Sequence, residues 1–246
     1  MTLATPPTVV AMSHAPSCLI VGILISGCGS PANHEVTNIV DASVTLGDGA
    51  VVAGDGGVDA GGTQVGTPMR CPGPGTPRPD NGTCGTERWD VKTGSDSQAG
   101  AVSLVPQPNT IAALAALPAA GAGTNREAPT ETTVWELKNV TLTELKAETD
   151  TDYHMVLSDG SKTMIAEIPS PKCGAQSAWT CFMSRARSAV DARYTVSTSP
   201  TYPAVTVTVR GVGFFDFIHG QNGVAANGIE LHPVLELCFG KDCTPS

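Results

Sequence analysis

The chain has 246 residues, and its 23 acidic side chains outnumber its 14 basic ones, which gives a formal net charge of -9. An acidic surface repels phosphate backbones, so nucleic acid is not an expected partner. The eight cysteines form no CxxC pair and have no zinc-like spacing. Disulfides formed in an oxidising compartment account for them better than a metal site does.

The N-terminal segment has the features of a targeting signal. Residues 1–27 contain no Lys, Arg, Asp or Glu, and their apolar run CLIVGILI is too short to span a bilayer. The tetrapeptide ISGC at its end resembles the lipobox of bacterial lipoproteins, although the segment before it lacks the usual Lys or Arg. The resemblance implies cleavage before Cys28, a lipid on the Cys28 sulfur, and anchoring in the cell envelope at the outer membrane or cell surface. The alternative is a buried strand followed by a free cysteine.

Residues 28–83 are rich in Gly, Asp and Pro and show no sustained periodicity. This composition predicts a disordered, flexible linker. Gly-Asp steps occur near Asp48 and Asp55, but a calcium-binding β-roll needs a strict nonapeptide repeat, which is missing here. The folded domain is therefore expected at residues 84–246.

The first part of this domain is predicted to contain a short strand over residues 87–92. A short helix follows, capped by Asn109 or Thr110 and stopped by Pro118.

Three strands are then predicted at residues 133–145, 153–157 and 163–168. The alternation of apolar residues in the first strand shifts across Asn139, which indicates a bulge. The dipeptide that begins at Asp159, Asp-Gly, is a turn signal between the other two strands. These segments predict a three-stranded meander.

The last part of the domain is predicted to contain one helix and two further strands. Apolar residues recur at helical spacing over residues 177–191. A β-branched run over residues 205–217 alternates with period two, and Gly211 interrupts it, which predicts a bent strand. Residues 229–237 alternate again. Pro233 cannot donate a hydrogen bond to a neighbouring strand, so this strand lies at an edge or carries a bulge.

The predicted order is therefore three strands, a helix and two strands. This order is that of an OB-fold, a five-stranded, bent, partly open barrel whose helix lies between strands 3 and 4. The fold class is thus mainly β, and it does not by itself indicate a function.

The C-terminal motif GVGFFDFIHGQNGVAANGIELHPVL, together with ERWDVKTGSD and MIAEIPSPKC, resembles a group of bacterial secreted or lipoprotein domains of unassigned function. The similarity covers about residues 84–238. It implies an extracytoplasmic module and supplies no ligand and no catalytic residues.

Three histidines of the domain lie close to carboxylates in the sequence. The three pairs are Asp152 and His154, Asp216 and His219, and Glu230 and His232. Residues i and i+2 of a strand share a face, so the first and third pairs could converge as metal ligands or as an acid and a base. The simpler interpretation is that His154 and His232 are hydrogen-bonded strand residues and that His219 caps a loop.

Thermonuclease-like enzymes share this strand order, and Asp150, Asp152, Arg210 and Asp216 supply the residue types that hold a metal and grip phosphate. The loop before Asp152 is dominated by carboxylates, however, and matches no active-site sequence of that family. We therefore favour a non-catalytic, lipid-tethered binding module that uses no cofactor and binds a protein or glycan through loops at one barrel end. The alternative is a metal-dependent envelope hydrolase with a divalent ion at the histidines.

Six cysteines remain for disulfides: Cys71, Cys84, Cys173, Cys181, Cys238 and Cys243. Loop-closure entropy favours short loops, which predicts pairing of each cysteine with its neighbour in the sequence. The expected bonds are Cys71 with Cys84, Cys173 with Cys181, and Cys238 with Cys243.

Overall fold

The computed structural model describes residues 66–121 and 123–246. The predicted signal peptide, Cys28 and the linker up to residue 65 lie outside the described residues. Within the described part, no helix is long and apolar enough to cross a membrane.

Five strands form a closed barrel, and a sixth is added at its side. The strands are β1 (Ser103–Asn109), β2 (Thr133–Ala147), β3 (Tyr153–Ser158), β4 (Thr163–Ile168), β5 (Val205–Phe215) and β6 (Ile229–Phe239). The barrel order is β2-β3-β4-β6-β5, and β5 pairs back with β2. Neighbouring strands of the barrel are antiparallel, except that β4 and β6 are parallel. Strand β1 pairs in parallel with the first half of β2. The predicted mainly β, OB-like barrel is confirmed.

Bulges bend the long strands where the sequence indicates them. The register of β2 against β5 shifts between Leu137 and Val140, and Asn139 between them has a φ of 55°. The register of β6 against β5 shifts twice between Leu231 and Glu236, the stretch that contains Pro233. Because β6 has a strand on each side, the bulge is the correct one of the two alternatives for Pro233.

Two elements before β2 differ from the prediction. The predicted strand at residues 87–92 is wrong, because this segment forms helix α1 (Trp89–Thr93). Alternation over so few residues does not distinguish a strand from a single helical turn. Strand β1 was not predicted, because its sequence SLVPQPN contains two prolines and no apolar alternation.

The other predicted helices are confirmed. Helix α2 (Ile111–Leu114) is capped by the Thr110 side chain, which accepts a hydrogen bond from the Ala113 amide. Helix α3 (Thr180–Asp191) lies between β4 and β5 in the chain and packs Ala186 and Val190 into the main hydrophobic core of the barrel.

Residues 66–83, which fall within the predicted linker, are packed against the domain. The Met69 amide donates a hydrogen bond to the Leu104 carbonyl at 2.8 Å. The Arg78 amide donates to the Asp191 carboxylate at 2.6 Å, and the Arg78 guanidinium donates to the Tyr194 carbonyl at 2.8 Å. This segment therefore runs beside the C-terminal end of α3.

Two of the three predicted disulfide pairings are wrong. The structure joins Cys71 to Cys181 and Cys84 to Cys173, and only the bond between Cys238 and Cys243 agrees with the prediction. Loop-closure entropy grows slowly with length, about 0.6 kcal/mol for each doubling, so the packing of residues 66–84 decides the pairing.

Candidate functional site

Charged side chains cluster on three neighbouring strands, β3, β4 and β6. Their core-facing residues, such as Met155, Ala166 and Leu231, belong to the main hydrophobic core. Side chains alternate along a strand, so the residues between these face the opposite side of the sheet. His154 of β3 pairs directly across from Glu167 of β4. Asp152, immediately before β3, and Glu230 and His232 of β6 complete the cluster, and all five residues are buried.

His232 is the centre of the inner part of the cluster. Its Nδ1 lies 2.9 Å from Glu230 Oε1, to which it donates a hydrogen bond, and 3.2 Å from Glu167 Oε2. On the other side of the ring, Nε2 lies 3.2 Å from Asp152 Oδ2. This last contact is too poorly aligned to be a hydrogen bond. One donor atom each from Asp152, Glu167 and His232 lies within 4.8 Å of the other two. We call these residues the inner triad.

Glu167 also belongs to a second group of three possible ligands. His154 Nδ1 lies 2.7 Å from Glu167 Oε1 and 3.7 Å from Glu148 Oε1. One donor atom from each of Glu148, His154 and Glu167 lies within 4.8 Å of the others. We call these residues the outer triad. The two oxygens of Glu167 are thus divided between the two histidines.

The outer triad lines a cavity of about 210 Å³. Lys92 of α1 reaches its wall and lies 3.2 Å from the Asp216 carboxylate. His219 also lines the cavity, but it is exposed, and its Nδ1 donates to the Phe217 carbonyl at 3.0 Å. The inner residues Asp152 and His232 do not line this cavity.

A buried arginine holds the backbone of the loop before β3. Arg187 of α3 donates hydrogen bonds to the Thr151 carbonyl at 2.8 Å and to the Ile168 carbonyl at 3.2 Å. The Glu148 amide donates to the Asp152 carbonyl at 2.8 Å. These bonds hold the backbone on both sides of the Asp152 side chain.

Helix α1 is held over the cluster by a buried ion pair. Arg88, immediately before α1, contacts Glu131 at 2.8 Å, and the same Glu131 accepts a hydrogen bond from the Phe215 amide. This pair joins the start of α1 to the end of β5. It therefore places Lys92 next to Asp216.

Burial and mutual repulsion raise the pKa of two carboxyl groups of the cluster, Asp152 and Glu230. Burial is the main cause that raises the pKa of Asp152 to about 6. Burial and the charge of Glu167 raise the pKa of Glu230 to about 7. Burial alone would lower the pKa of His232, but the carboxylates of Asp152, Glu230 and Glu167 raise it to about 10.

Several of the buried polar atoms have no hydrogen-bond partner among the described residues. They are both carboxylate oxygens of Asp152, Nε2 of His232 and Nε2 of His154. Asp152 and His232 are fully buried. Since almost all buried polar atoms in proteins are hydrogen-bonded, orphaned atoms that face one another need an explanation.

The structure brings together two of the three predicted carboxylate and histidine pairs. Asp152 and His154 join Glu230 and His232, as their period-two spacing indicates. Asp216 and His219 line the adjoining cavity without entering either triad. Arg210, the proposed phosphate-gripping residue, instead contacts Glu136 at 2.6 Å and Glu236 at 2.9 Å.

Sequence reasoning missed Glu148, Glu167 and Lys92 as members of the site. A signal existed for Glu167, because it is the one charged residue in the strand TMIAEI. A charged side chain in an otherwise buried strand is expected to have a partner.

Comparison of the chain with protein-family models, with curated proteins and with solved structures finds no match.

Proposed function

We propose that the chain is a lipid-tethered cell-envelope protein whose OB-like barrel binds a divalent metal ion through Asp152, Glu167 and His232. The observation that carries this proposal is the pair of facing, fully buried groups, the Asp152 carboxylate and Nε2 of His232, which lie 3.2 Å apart without an aligned hydrogen bond. In the metal-free domain the protonated His232 ring is the cation beside this buried carboxylate, and a divalent ion between the two groups would compensate the buried charge more fully.

The distance between the two groups supports a bridging ion. Two ligands placed 2.0–2.1 Å from a tetrahedral zinc ion lie ~3.3 Å apart. Asp152 Oδ2 and His232 Nε2 are 3.2 Å apart. Their separation would therefore need little change to accept the ion.

The surroundings of His232 also suit a metal ligand. A ligating histidine usually donates its other ring N–H to a carboxylate, which fixes the ring and leaves the second nitrogen for the metal. Nδ1 of His232 donates to Glu230 in this way. The ion would take the place of the proton on Nε2.

The ligand types favour some metals over others. One imidazole and two carboxylates suit zinc, manganese, iron or nickel better than calcium or magnesium, which prefer oxygen ligands alone. Zinc is therefore the natural first probe.

The metal prediction is tested by elemental analysis of the purified domain after dialysis against zinc. We expect bound zinc in the wild type and a loss of at least tenfold in affinity for Asp152→Asn, a nearly isosteric change that removes one ligand charge. Asp159→Asn, in the exposed turn after β3 and in neither triad, is the control. Equal zinc affinity of the two variants would contradict the proposal.

The tether is tested separately. Palmitate labelling and partitioning into detergent should both disappear when Cys28→Ala is made in the full chain. A Cys28→Ala protein that still partitions into detergent would place the anchor elsewhere, while leaving the metal proposal intact.

A metal-dependent hydrolase is the second candidate, and the open cavity beside the outer triad favours it. Structural metal sites are closed, whereas catalytic sites keep a position for water or substrate. An assay with a phosphodiester such as bis(p-nitrophenyl) phosphate, with and without zinc or manganese, separates the two candidates. Hydrolysis that needs added metal and is absent in Asp152→Asn would establish the hydrolase; its absence from the metal-loaded wild type would favour the binding module.

A further inference from the structure

We infer that the cluster binds a second, exchangeable divalent ion at the outer triad, Glu148, His154 and Glu167, so that Glu167 bridges two ions. This inference rests on the proposed function, because it assumes that the inner triad holds the first ion. The second ion would lie at a different position from the first and would be more exposed to solvent.

The first argument is the arrangement of Glu167. Its Oε1 faces His154 at 2.7 Å, and its Oε2 faces His232 at 3.2 Å. A carboxylate that directs one oxygen to each of two imidazoles has the geometry of a bridging ligand. Ions bridged in this way in two-metal sites lie about 3.5–4 Å apart.

The second argument is the state of His154. This residue is 2% exposed, and both carboxylates of the outer triad lie on the Nδ1 side of its ring, Glu167 Oε1 at 2.7 Å and Glu148 Oε1 at 3.7 Å. Its Nδ1 is held by Glu167, just as Nδ1 of His232 is held by Glu230. An outer ion shared with Glu148 and Glu167 would therefore take the place of the proton on Nδ1 of His154, the nitrogen that both carboxylates face.

The third argument is charge. Six carboxylates belong to the two triads or line the cavity: Glu148, Asp150, Asp152, Glu167, Asp216 and Glu230. Two ammonium groups accompany them, Lys92 in the cavity wall and Lys146, which contacts Glu148 at 2.9 Å. With both histidines neutral, as metal ligands must be, the ionised carboxylates exceed the ammonium groups by four charges. Even if Glu230, whose pKa is about 7, keeps its proton, one divalent ion leaves negative charge uncompensated, which favours a second ion.

The exposure of the outer triad indicates that its ion exchanges. Glu148 keeps 35% of its side chain exposed, and all three ligands line the cavity of about 210 Å³. An ion there would keep coordination positions open to water, unlike an ion enclosed by the inner triad.

The experiment starts from the domain stripped of metal with a chelator, which is then removed. The stripped domain is titrated with zinc, and binding is measured by calorimetry. A second titration uses cobalt, and binding is measured by visible absorption. We expect two equivalents for the wild type and one for both His154→Gln and Glu148→Gln. Glu148 is half-exposed, so its variant keeps the result interpretable if His154→Gln fails to fold. His219→Gln, which changes the same cavity outside the triads, should still bind two equivalents. In the manganese-loaded wild type, the electron paramagnetic resonance spectrum should show coupled ions.

The outcomes separate this inference from the proposed function. If the wild type binds two equivalents of zinc and the variants His154→Gln and Glu148→Gln bind one, both the inner and the outer ion are supported. A single equivalent in the wild type, unchanged in His154→Gln and Glu148→Gln, overturns the second ion and leaves the inner site standing. No binding in the wild type overturns both.

Discussion

Paired serine substitution of Cys84 and Cys173 is expected to lower the free energy of unfolding by about 3 kcal/mol. These cysteines are 89 residues apart, but the bond between Cys71 and Cys181 encloses them, so their own crosslink closes a further loop of roughly 20 residues in the unfolded chain. The paired substitution of Cys238 and Cys243, which are 5 residues apart, should cost only about 2 kcal/mol by the same reasoning.

Denaturant unfolding of the two double variants measures this difference directly. The Cys84 and Cys173 variant should also bind zinc more weakly, because Cys173 Sγ lies 3.7 Å from the hydroxyl of Thr151, next to the ligand Asp152. Equal losses of stability in the two double variants would show that the long crosslink is not the one that holds residues 66–84 in place.

The chelated domain is expected to be on the order of 10 °C less stable to heat at pH 8 than at pH 5. The pKa of Glu230 is raised from 4.5 to about 7, so the folded state keeps a proton that the unfolded chain has already lost. Stability then falls as the pH rises through this window. The pKa of Asp152, raised to about 6, contributes in the same direction.

The histidine at the centre of the cluster extends the fall in stability to higher pH. The pKa of His232 is raised from 6.5 to about 10, so its contribution is complete below pH 6.5 and is lost above it. The pKa of Glu167 is lowered by its contacts with the histidines despite its burial. Its contribution to stability is therefore lost only as the pH falls below 4.5. Glu230, Asp152 and His232 therefore give a slope of one sign between pH 5 and pH 8. His154, whose pKa is raised by Glu167 despite its burial, adds to it.

Thermal melts in a chelator, at several values of pH, test this prediction. The shift at Glu230 corresponds to on the order of 3 kcal/mol, so the neutral isostere Glu230→Gln should remove a large part of the slope, and Asp152 and His232 should account for the remainder. Saturating zinc should flatten it too, because metal binding requires deprotonated ligands and strengthens as the pH rises. A wild-type melting temperature that rises from pH 5 to pH 8 in chelator would contradict the protonated cluster.

The sequence by itself determined the barrel. Period-two alternation located β2 to β6 to within about two residues at each end, and the shift across Asn139 and the position of Pro233 located two of the bulges. These features are local, because the faces of a strand and the limits on proline depend on neighbouring residues in the chain. The same spacing brought Asp152, His154, Glu230 and His232 into consideration as a site.

Only the tertiary structure decided which distant residues meet. The cysteine pairing depends on residues 66–84 packing beside α3 and β4, which no local preference specifies, and entropy alone favoured the wrong partners for Cys71 and Cys84. Glu167 contacts both histidines because the pairing of β4 with β3 and β6 places it between them. Lys92 enters the site because the buried pair of Arg88 and Glu131 holds α1 over the sheet. Such contacts result from the packing of whole elements, and no spacing in the sequence encodes them.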